Sequence, residues 1–327
     1  MNYLTDCTIP DFILRAAGSR EMLRLKKVGM DCGCEYTAFP LFAGKAPYSR
    51  WDHSLAVSII VWNFTFDRAE ALSGLFHDIA TPCFSHVIDF FNNDHLSQES
   101  TEKGTREIIA SSREISALLE ELGITVDEVC DYHMYPIADN DSPRLSSDRL
   151  EYTMTNAMRY LGVSADEINR HYRDLTVSIN EEGMQELCFT DPLLARDFAF
   201  WGLETGRIYS ADADRYVMET LALILRKAVN RGIISPDDFY GTEDVLIEKL
   251  ISDEETGKMW DDFRKLSVVE TNCSERPSQE WIKVFTKKRY IDPYVKGMGR
   301  VSSLFADFSS LTGQFVNESQ DYWLWGH

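Results

Sequence analysis

The chain has 327 residues, of which 44% are hydrophobic and 26% are charged, so its composition is globular rather than largely disordered. Acidic residues outnumber lysine and arginine by 53 to 33, which gives a net charge of −20. A field of that sign repels phosphate backbones and excludes general nucleic-acid binding, but a local metal ion still allows a small anionic substrate. The length suits one large helical domain or two smaller ones.

The N-terminus lacks a basic segment followed by an apolar run, so it does not resemble a signal peptide. The longest apolar stretch, around residues 55–62, is far too short to cross a bilayer. Seven cysteines follow no repeated spacing, which is typical of reduced thiols rather than of a disulfide framework. The sequence therefore predicts a cytoplasmic protein without a membrane segment.

Helical periodicity dominates the chain, and we predict a mainly α-helical fold with minor β-hairpin elements. Residues 51–66 are apolar on nearly every side, which predicts a helix that is buried all round. Asp67 follows as the predicted N-terminal cap of the next helix. Two further helices are predicted over residues 147–161 and 212–230, each ending just before a glycine.

The β-like segments are short. Residues 175–179 and 186–190 partly alternate in hydropathy and predict a hairpin. A second β-like run at residues 281–285 follows a polar linker. We therefore predict a helical domain over residues 1–266 and a small C-terminal subdomain over residues 267–327.

Three of the seven histidines lie between residues 51 and 89. His53 falls on the predicted buried helix, where an imidazole without a partner costs about 1–3 kcal/mol. His77 and Asp78, near the end of the next helix, can supply that partner. The three side chains form either a hydrogen-bonded group in the core or a metal site with coordination positions left for water or substrate. The spacing alone leaves both interpretations open.

A fourth candidate ligand is Asp148, in the first turn of a predicted helix, where a carboxylate also complements the helix dipole. Tyr152 and Asn156 follow at intervals of four, so the three side chains form one polar stripe. Apolar residues cover the neighbouring face, and this arrangement predicts the wall of a pocket. Residues 131–133, just before this helix, are a further candidate for the pocket rim.

His53, the His-Asp pair at residues 77–78 and Asp148 follow the H…HD…D order. On these residues the chain resembles the HD superfamily of metal-dependent phosphohydrolases. The likeness is greatest to the deoxynucleoside triphosphate triphosphohydrolase branch, in the Phe-Ser-His-Val-Ile-Asp segment at residues 84–89 and in the Asp-x-x-x-Tyr pattern that Asp148 opens. The resemblance extends over about residues 20–160.

The resemblance implies an HD-type helical core and hydrolysis of a nucleotide by attack of metal-bound water on phosphorus. A deoxynucleoside triphosphate is the first expected substrate, followed by a related phosphoester. The implied cofactor is a divalent ion (Mn, Mg, Fe, Ni or Zn), and its implied ligands are His53, His77, Asp78 and Asp148. The implied catalytic residues are His86 and Asp89. The expected substrate-binding residues are Arg50, Tyr152, Lys27 and Asn156.

Four positions depart from the triphosphohydrolase pattern. Thr81 and Thr101 stand where that branch carries histidines, and His95 is a candidate substitute for the second of them. Lys27 aligns with a glutamine that reads the sugar, and Asn156 aligns with an aspartate. These departures leave two alternatives open: a nucleoside monophosphate phosphatase, and a catalytically degenerate regulatory module that binds nucleotides.

As partners we expect a small anionic nucleotide-like substrate, no general nucleic acid and no membrane, and we leave a homo-oligomer open. The basic run at residues 287–289 is interpreted as a solvated or interface surface. A pocket for an anion must be locally positive in a chain of net charge −20. We expect the metal ion, Arg50 and Lys27 to supply that charge.

Overall fold

The computed structural model describes residues 8–92 and 104–327, so the candidates His95 and Thr101 lie outside the described residues. Helices dominate, which confirms the prediction of a mainly α-helical fold. In this part of the chain the α-helices are α1 Asp11–Ala17, α2 Arg20–Arg24, α3 Arg50–Thr65, α4 Arg68–Phe76, α5 Val87–Phe91, α6 Thr105–Ser111, α7 Arg113–Leu122, α8 Ser147–Asn156, α9 Ala165–Asp174, α10 Pro192–Ile208, α11 Asp212–Asn230, α12 Glu243–Ser252, α13 Glu254–Lys265, α14 Val301–Leu304 and α15 Ala306–Asn317. The strands are β1 Leu175–Ile179, β2 Gln185–Phe189, β3 Val269–Asn272, β4 Tyr294–Val295, β5 Gly299–Arg300 and β6 Trp323–Gly326.

Helix α3 is the central element of the fold. It packs against α4 and α8, and its buried stretch confirms the helix predicted from an apolar segment. The helix begins at Arg50 because Ser49 caps it: the Ser49 hydroxyl accepts from the Asp52 backbone N–H, and the Asp52 carboxylate accepts from the Ser49 N–H. Asp67 caps α4 by accepting from the Glu70 N–H at 2.9 Å, as predicted.

The buried side chains form two hydrophobic clusters. The first joins α3, α4, α8 and α10 and includes Ile60, Leu72 and Met154. The second surrounds α11 and includes Leu221 from that helix and Trp260 from α13. Helix α5 packs against α11 and therefore belongs to the second cluster.

Strands β1 and β2 form the predicted antiparallel hairpin, with Leu175 opposite Phe189, so β2 begins one residue earlier than expected. Strand β4 pairs in parallel with β2, giving a four-stranded sheet of order β1-β2-β4-β5, while β3 pairs with β6. Residues 281–285 contribute an isolated bridge between Ile282 and Leu324 rather than the expected β-like run.

The C-terminal 61 residues pack onto the rest of the protein at several places. Phe308 and Phe315 belong to the first hydrophobic cluster, whereas Val284 and Leu324 belong to the second. The domain boundary at residue 266 stays a prediction. Within residues 8–92 and 104–327, no helix combines the length and the hydropathy needed to span a bilayer.

Candidate metal centre

Helices α3, α4 and α8 bring together two imidazoles and a carboxylate. His53 lies in the first turn of α3, His77 directly follows α4, and Asp148 lies in the first turn of α8. His53 Nε2 is 3.2 Å from His77 Nε2 and 2.9 Å from Asp148 Oδ1. One donor atom from each of the three residues lies within 4.8 Å of the other two. Residues that are 24 and 95 positions apart in the chain thus converge on one point.

Both imidazoles use Nδ1 for a hydrogen bond and direct Nε2 at the shared point. His77 Nδ1 is 2.7 Å from the Gly74 carbonyl oxygen, which can only accept, so this nitrogen carries the proton. His53 Nδ1 is 2.6 Å from Glu151 Oε2, a carboxylate that accepts in the same way. Each neutral ring therefore presents a lone pair at Nε2 beside the Asp148 carboxylate. Three electron pairs that converge in this way can bind a cation, and this set of nitrogen and oxygen donors suits a divalent transition metal.

The electrostatics of the three side chains also favour positive charge. Burial opposes protonation of His53, but hydrogen bonds to Asp148 and Glu151 raise the pKa of His53 to about 10. Burial raises the pKa of Asp148, but the His53 hydrogen bond and the neighbouring imidazole charges together lower that pKa to about 2. The two carboxylates therefore stabilise a positive charge at His53 Nε2, either a proton or a cation that takes the proton's place.

Asp78 lies beside this group. Its Oδ2 atom is 3.5 Å from His77 Nε2, and its two oxygens accept from Arg50 Nη1 at 3.2 and 3.0 Å. The Thr81 hydroxyl donates to Asp78 Oδ1 at 2.7 Å. Burial opposes ionisation, yet Arg50 and then the imidazoles hold the pKa of Asp78 well below its usual range. Thr81 therefore orients the Asp78 carboxylate, and Asp78 as a direct metal ligand stays a prediction.

A cavity of about 230 Å³ opens over the three donor atoms. Arg50, Tyr152 and Asn156, which the resemblance assigns to substrate binding, all line this cavity. Lys27 lies elsewhere, on an exposed turn after α2, where its ammonium group pairs with Asp244. This placement corrects the expectation that Lys27 supplies positive charge to the pocket.

The cavity wall around Asn156 is a hydrogen-bonded network. The Asn156 side-chain amide donates to the Tyr209 hydroxyl at 2.6 Å and accepts from Arg159 Nη1 at 2.9 Å. Arg159 also donates to Asp31 Oδ1 at 2.9 Å. Because both ends of the Asn156 amide are used, its orientation is fixed before any ligand arrives.

His86 enters the cavity from the N-terminal end of α5. Its Nδ1 atom is 3.0 Å from Asp89 Oδ2, so the two predicted catalytic side chains are paired. Burial lowers the pKa of His86, although the Asp89 hydrogen bond opposes that shift. Phe84 and Ser85, directly before His86, have φ angles of 59° and 50°, a left-handed conformation that is uncommon outside glycine. The catalytic roles of His86 and Asp89 stay predictions.

Several residues of the site escaped the sequence analysis. Glu151 is 1% exposed, and its only sequence signal is its position three residues after Asp148 on one helical face. Lys287 and Arg289 line the cavity, so the basic run is more than a solvated or interface surface. Tyr132, in contrast, belongs to the rim that the sequence predicts; it lines the cavity, and its ring is 5.2 Å from that of His77.

A second set of donors, Glu167, His171 and Asp197, also lies within 4.8 Å. It stands apart from the cavity lining, and His171 Nδ1 already donates to the Glu167 carbonyl at 2.8 Å. Asp197 is exposed, and exposed carboxylates often gather without an ion. We therefore assign no site to this set.

Parts of the chain are similar in sequence to known proteins. No protein-family model matches the chain. Over 206 residues it is 25% identical to the uncharacterized protein YdhJ of Bacillus subtilis, a match covering 62% of this chain and 61% of that protein. Over 124 residues it is 27% identical to the metal-dependent phosphohydrolase cns2 of Cordyceps militaris, covering 36% of this chain and 34% of that protein. The chain thus matches about three fifths of the first relative and one third of the second.

The fold itself is shared with a solved structure. A hypothetical protein from Aquifex aeolicus superposes with a TM-score of 0.63 at 16% identity, over 97% of this chain and 93% of that protein. The partial similarity to cns2 and the cluster of His53, His77 and Asp148 together fit the HD superfamily. The assignment to the triphosphohydrolase branch stays a prediction.

Proposed function

We propose that this protein is a metal-dependent phosphohydrolase of the HD type that acts on a nucleotide. The observation that carries the proposal is the convergence of His53 Nε2, His77 Nε2 and Asp148 Oδ1 beneath a cavity whose lining includes two arginines and a lysine. A divalent ion held by these atoms would lower the pKa of water and neutralise charge on phosphoryl oxygens. The partial similarity to a metal-dependent phosphohydrolase supports the same reaction class.

The cations of the cavity provide the anion-binding half of the site. Arg50, Lys287 and Arg289 line it in a protein whose net charge is −20. Arg50 is buried and fixed, because Nη1 donates to Asp78 while Nε donates to the Ser85 hydroxyl at 3.1 Å. A guanidinium held in this way can bind a phosphate group without first losing side-chain freedom.

The His86–Asp89 pair provides proton transfer. Asp89 accepts from the Nδ1–H of the neutral ring, so Nε2 is the unprotonated atom that can accept a proton from the attacking water. Burial lowers the pKa of His86, which favours this neutral form near pH 7. The same Nε2 then holds the proton for the leaving oxygen. His86 therefore acts first as a base and then as an acid.

The remaining wall suits the nucleoside part of a substrate. Tyr152, Tyr209 and Phe42 line this part of the cavity, and the fixed Asn156 amide donates to the Tyr209 hydroxyl. Aromatic surfaces of this kind stack on nucleobases at a gain of about 1–3 kcal/mol each. We rank a deoxynucleoside triphosphate first because of the resemblance and a nucleoside monophosphate second.

The proposal is tested by a turnover screen. Purified protein is loaded separately with Mn, Mg, Fe, Ni or Zn and offered nucleoside mono-, di- and triphosphates, and the released phosphate, pyrophosphate and triphosphate are measured. We expect turnover that is lost, together with bound metal, in His77→Ala and Asp148→Ala. His327→Ala, at an exposed histidine far along the chain, serves as the matched control. Tight nucleotide binding without turnover in every metal form would contradict the proposal and favour the regulatory module.

A further inference from the structure

Glu243, the first residue of α12, is a buried carboxylate that joins three separate segments. Its Oε1 atom accepts from the Gly29 backbone N–H at 2.9 Å and from the Phe84 N–H at 3.0 Å. Its Oε2 atom accepts from the Tyr36 hydroxyl at 2.7 Å. The residue is 3% exposed and does not belong to the cavity lining. Glu243 thus acts on the site through other residues.

The Gly29 segment holds the start of the helix that carries His53. Gly29 forms a bridge with Ser49, the residue that caps α3, and the Val28 carbonyl accepts from the Arg50 N–H at 2.9 Å. A Cβ at position 29 would meet Glu35 Oε1 at 2.0 Å, so a larger residue would have to displace the end of the Glu35 side chain. The Glu243 bond to Gly29 therefore fixes the first turn of α3.

The Phe84 segment presents His86 to the cavity. Phe84 and Ser85 both adopt left-handed backbone angles, each of which costs on the order of 1–3 kcal/mol and persists only where other contacts hold it. The bond from the Phe84 N–H to Glu243 is such a contact. Ser85 adds a second one, since its hydroxyl donates to the Gly29 carbonyl at 3.2 Å.

We propose that Glu243 is a positioning residue that holds His86 at a fixed distance from Arg50 and the metal centre. One carboxylate oxygen binds the segments leading to both walls of the cavity, so the distance between those walls depends on it. This inference rests on the proposed phosphohydrolase function. A displacement of about 1 Å between a catalytic group and its substrate is enough to cost about 100-fold in rate.

The test compares three variants at this position. Glu243→Ala removes every acceptor, and Glu243→Asp shortens the side chain but keeps its charge. Glu243→Gln keeps a carbonyl oxygen for the Gly29 and Phe84 N–H groups and turns its amide toward the Tyr36 hydroxyl, which can accept. We expect kcat to fall about 10–100-fold in the Ala and Asp variants, with KM and metal content within about threefold of wild type. Glu243→Gln should restore kcat to within about threefold, and Glu248→Ala, exposed on the same helix, should match wild type.

A second readout does not require turnover. Hydrogen exchange of the Phe84 amide should accelerate at least about tenfold in Glu243→Ala and Glu243→Asp and stay near wild type in Glu243→Gln. If the wild-type protein shows no phosphohydrolase activity, the proposed function fails, while the exchange rates still decide whether Glu243 holds the turn. Wild-type kcat and wild-type exchange in Glu243→Asp would overturn the inference. A loss in Glu243→Ala that Glu243→Gln does not restore would overturn it as well. Should Glu243→Ala fail to fold, the Asp and Gln variants carry the test.

Discussion

Replacing Glu151 should weaken metal binding although its side chain lies outside the three-donor set. Glu151 Oε2 accepts from His53 Nδ1 at 2.6 Å and from the Tyr48 hydroxyl, while Oε1 accepts from the Thr155 hydroxyl at 2.7 Å. This carboxylate fixes the tautomer in which His53 Nε2 carries a lone pair, and its charge raises the basicity of that nitrogen. Glu151→Ala removes both effects.

The expected magnitude follows from this one contact. A hydrogen bond to a charged group contributes about 1.5–3 kcal/mol, which at 1.4 kcal/mol per tenfold corresponds to a loss of about 10–100-fold in metal affinity. Losses of the same size follow removal of partners that orient metal-binding histidines. Glu151→Gln should lose about tenfold, because its carbonyl still accepts from Nδ1 but its charge is gone.

The assay is a competition titration of each purified variant with a chelating metal indicator at constant pH, after a melting curve has shown that the variant is folded. Thr155→Val is the matched control, since it removes a bond to Glu151 but leaves the His53 contact in place. We expect its metal affinity to stay within about threefold of wild type. Metal affinity in folded Glu151→Ala within twofold of wild type would refute the tautomer argument.

Three further predictions concern catalysis, specificity and stability. His86→Ala should lower the rate constant of the chemical step by about 100-fold or more at unchanged metal content, and single-turnover kinetics measure that constant. Loss of bound metal in this variant would instead place His86 among the metal ligands. In steady-state kinetics, Lys27→Ala should leave KM within about twofold of wild type, whereas Arg289→Ala should raise KM about tenfold. A larger rise of KM in Lys27→Ala than in Arg289→Ala would contradict the placement of Arg289, and not Lys27, at the substrate cavity. Burial raises the pKa of Glu70 to about 7, so the folded protein holds this proton more tightly than the unfolded chain does. The stability that this proton contributes is complete below about pH 4.5 and is lost as the pH rises through 7. The free energy of unfolding of Glu70→Gln should therefore exceed that of wild type by at most about 3 kcal/mol at pH 8 and should equal it at pH 4. Denaturant unfolding at both pH values measures this difference, and equal free energies of unfolding at pH 8 would contradict the prediction.

The sequence predicts best those elements whose bounds are determined by residues within a few turns of each other. The helix over residues 212–230 has the predicted bounds, because its apolar periodicity and its end near Gly232 are both encoded within a few turns. The helix predicted over residues 147–161 instead ends at Asn156 and continues as a π-helical turn, Ala157–Leu161. Hydrophobic periodicity over so few residues does not distinguish these two backbones.

The convergence of His53, His77 and Asp148 was also predictable, since these residues belong to one ordered motif, whereas the cavity walls depend on distant contacts. Lys27 lies close to the motif in sequence, but an ion pair with Asp244, 217 positions away, holds it on the surface. Arg289 reaches the cavity from the C-terminal region, which joins the core through β4 pairing with β2. Glu243 contacts Phe84 across 159 positions without any local signature. Contacts of this length are set by tertiary packing, which a single sequence does not display.

Anomalous diffraction at the metal absorption edge shows directly whether His53, His77 and Asp148 bind a divalent ion. Crystals are grown with whichever of Mn, Fe, Ni or Zn supports the highest turnover, and data are collected on both sides of that edge. We expect the strongest anomalous peak within bonding distance of His53 Nε2, His77 Nε2 and Asp148 Oδ1, about 2.0–2.2 Å for such ligands. No peak at these three atoms, or a stronger peak beside His171, would contradict this expectation.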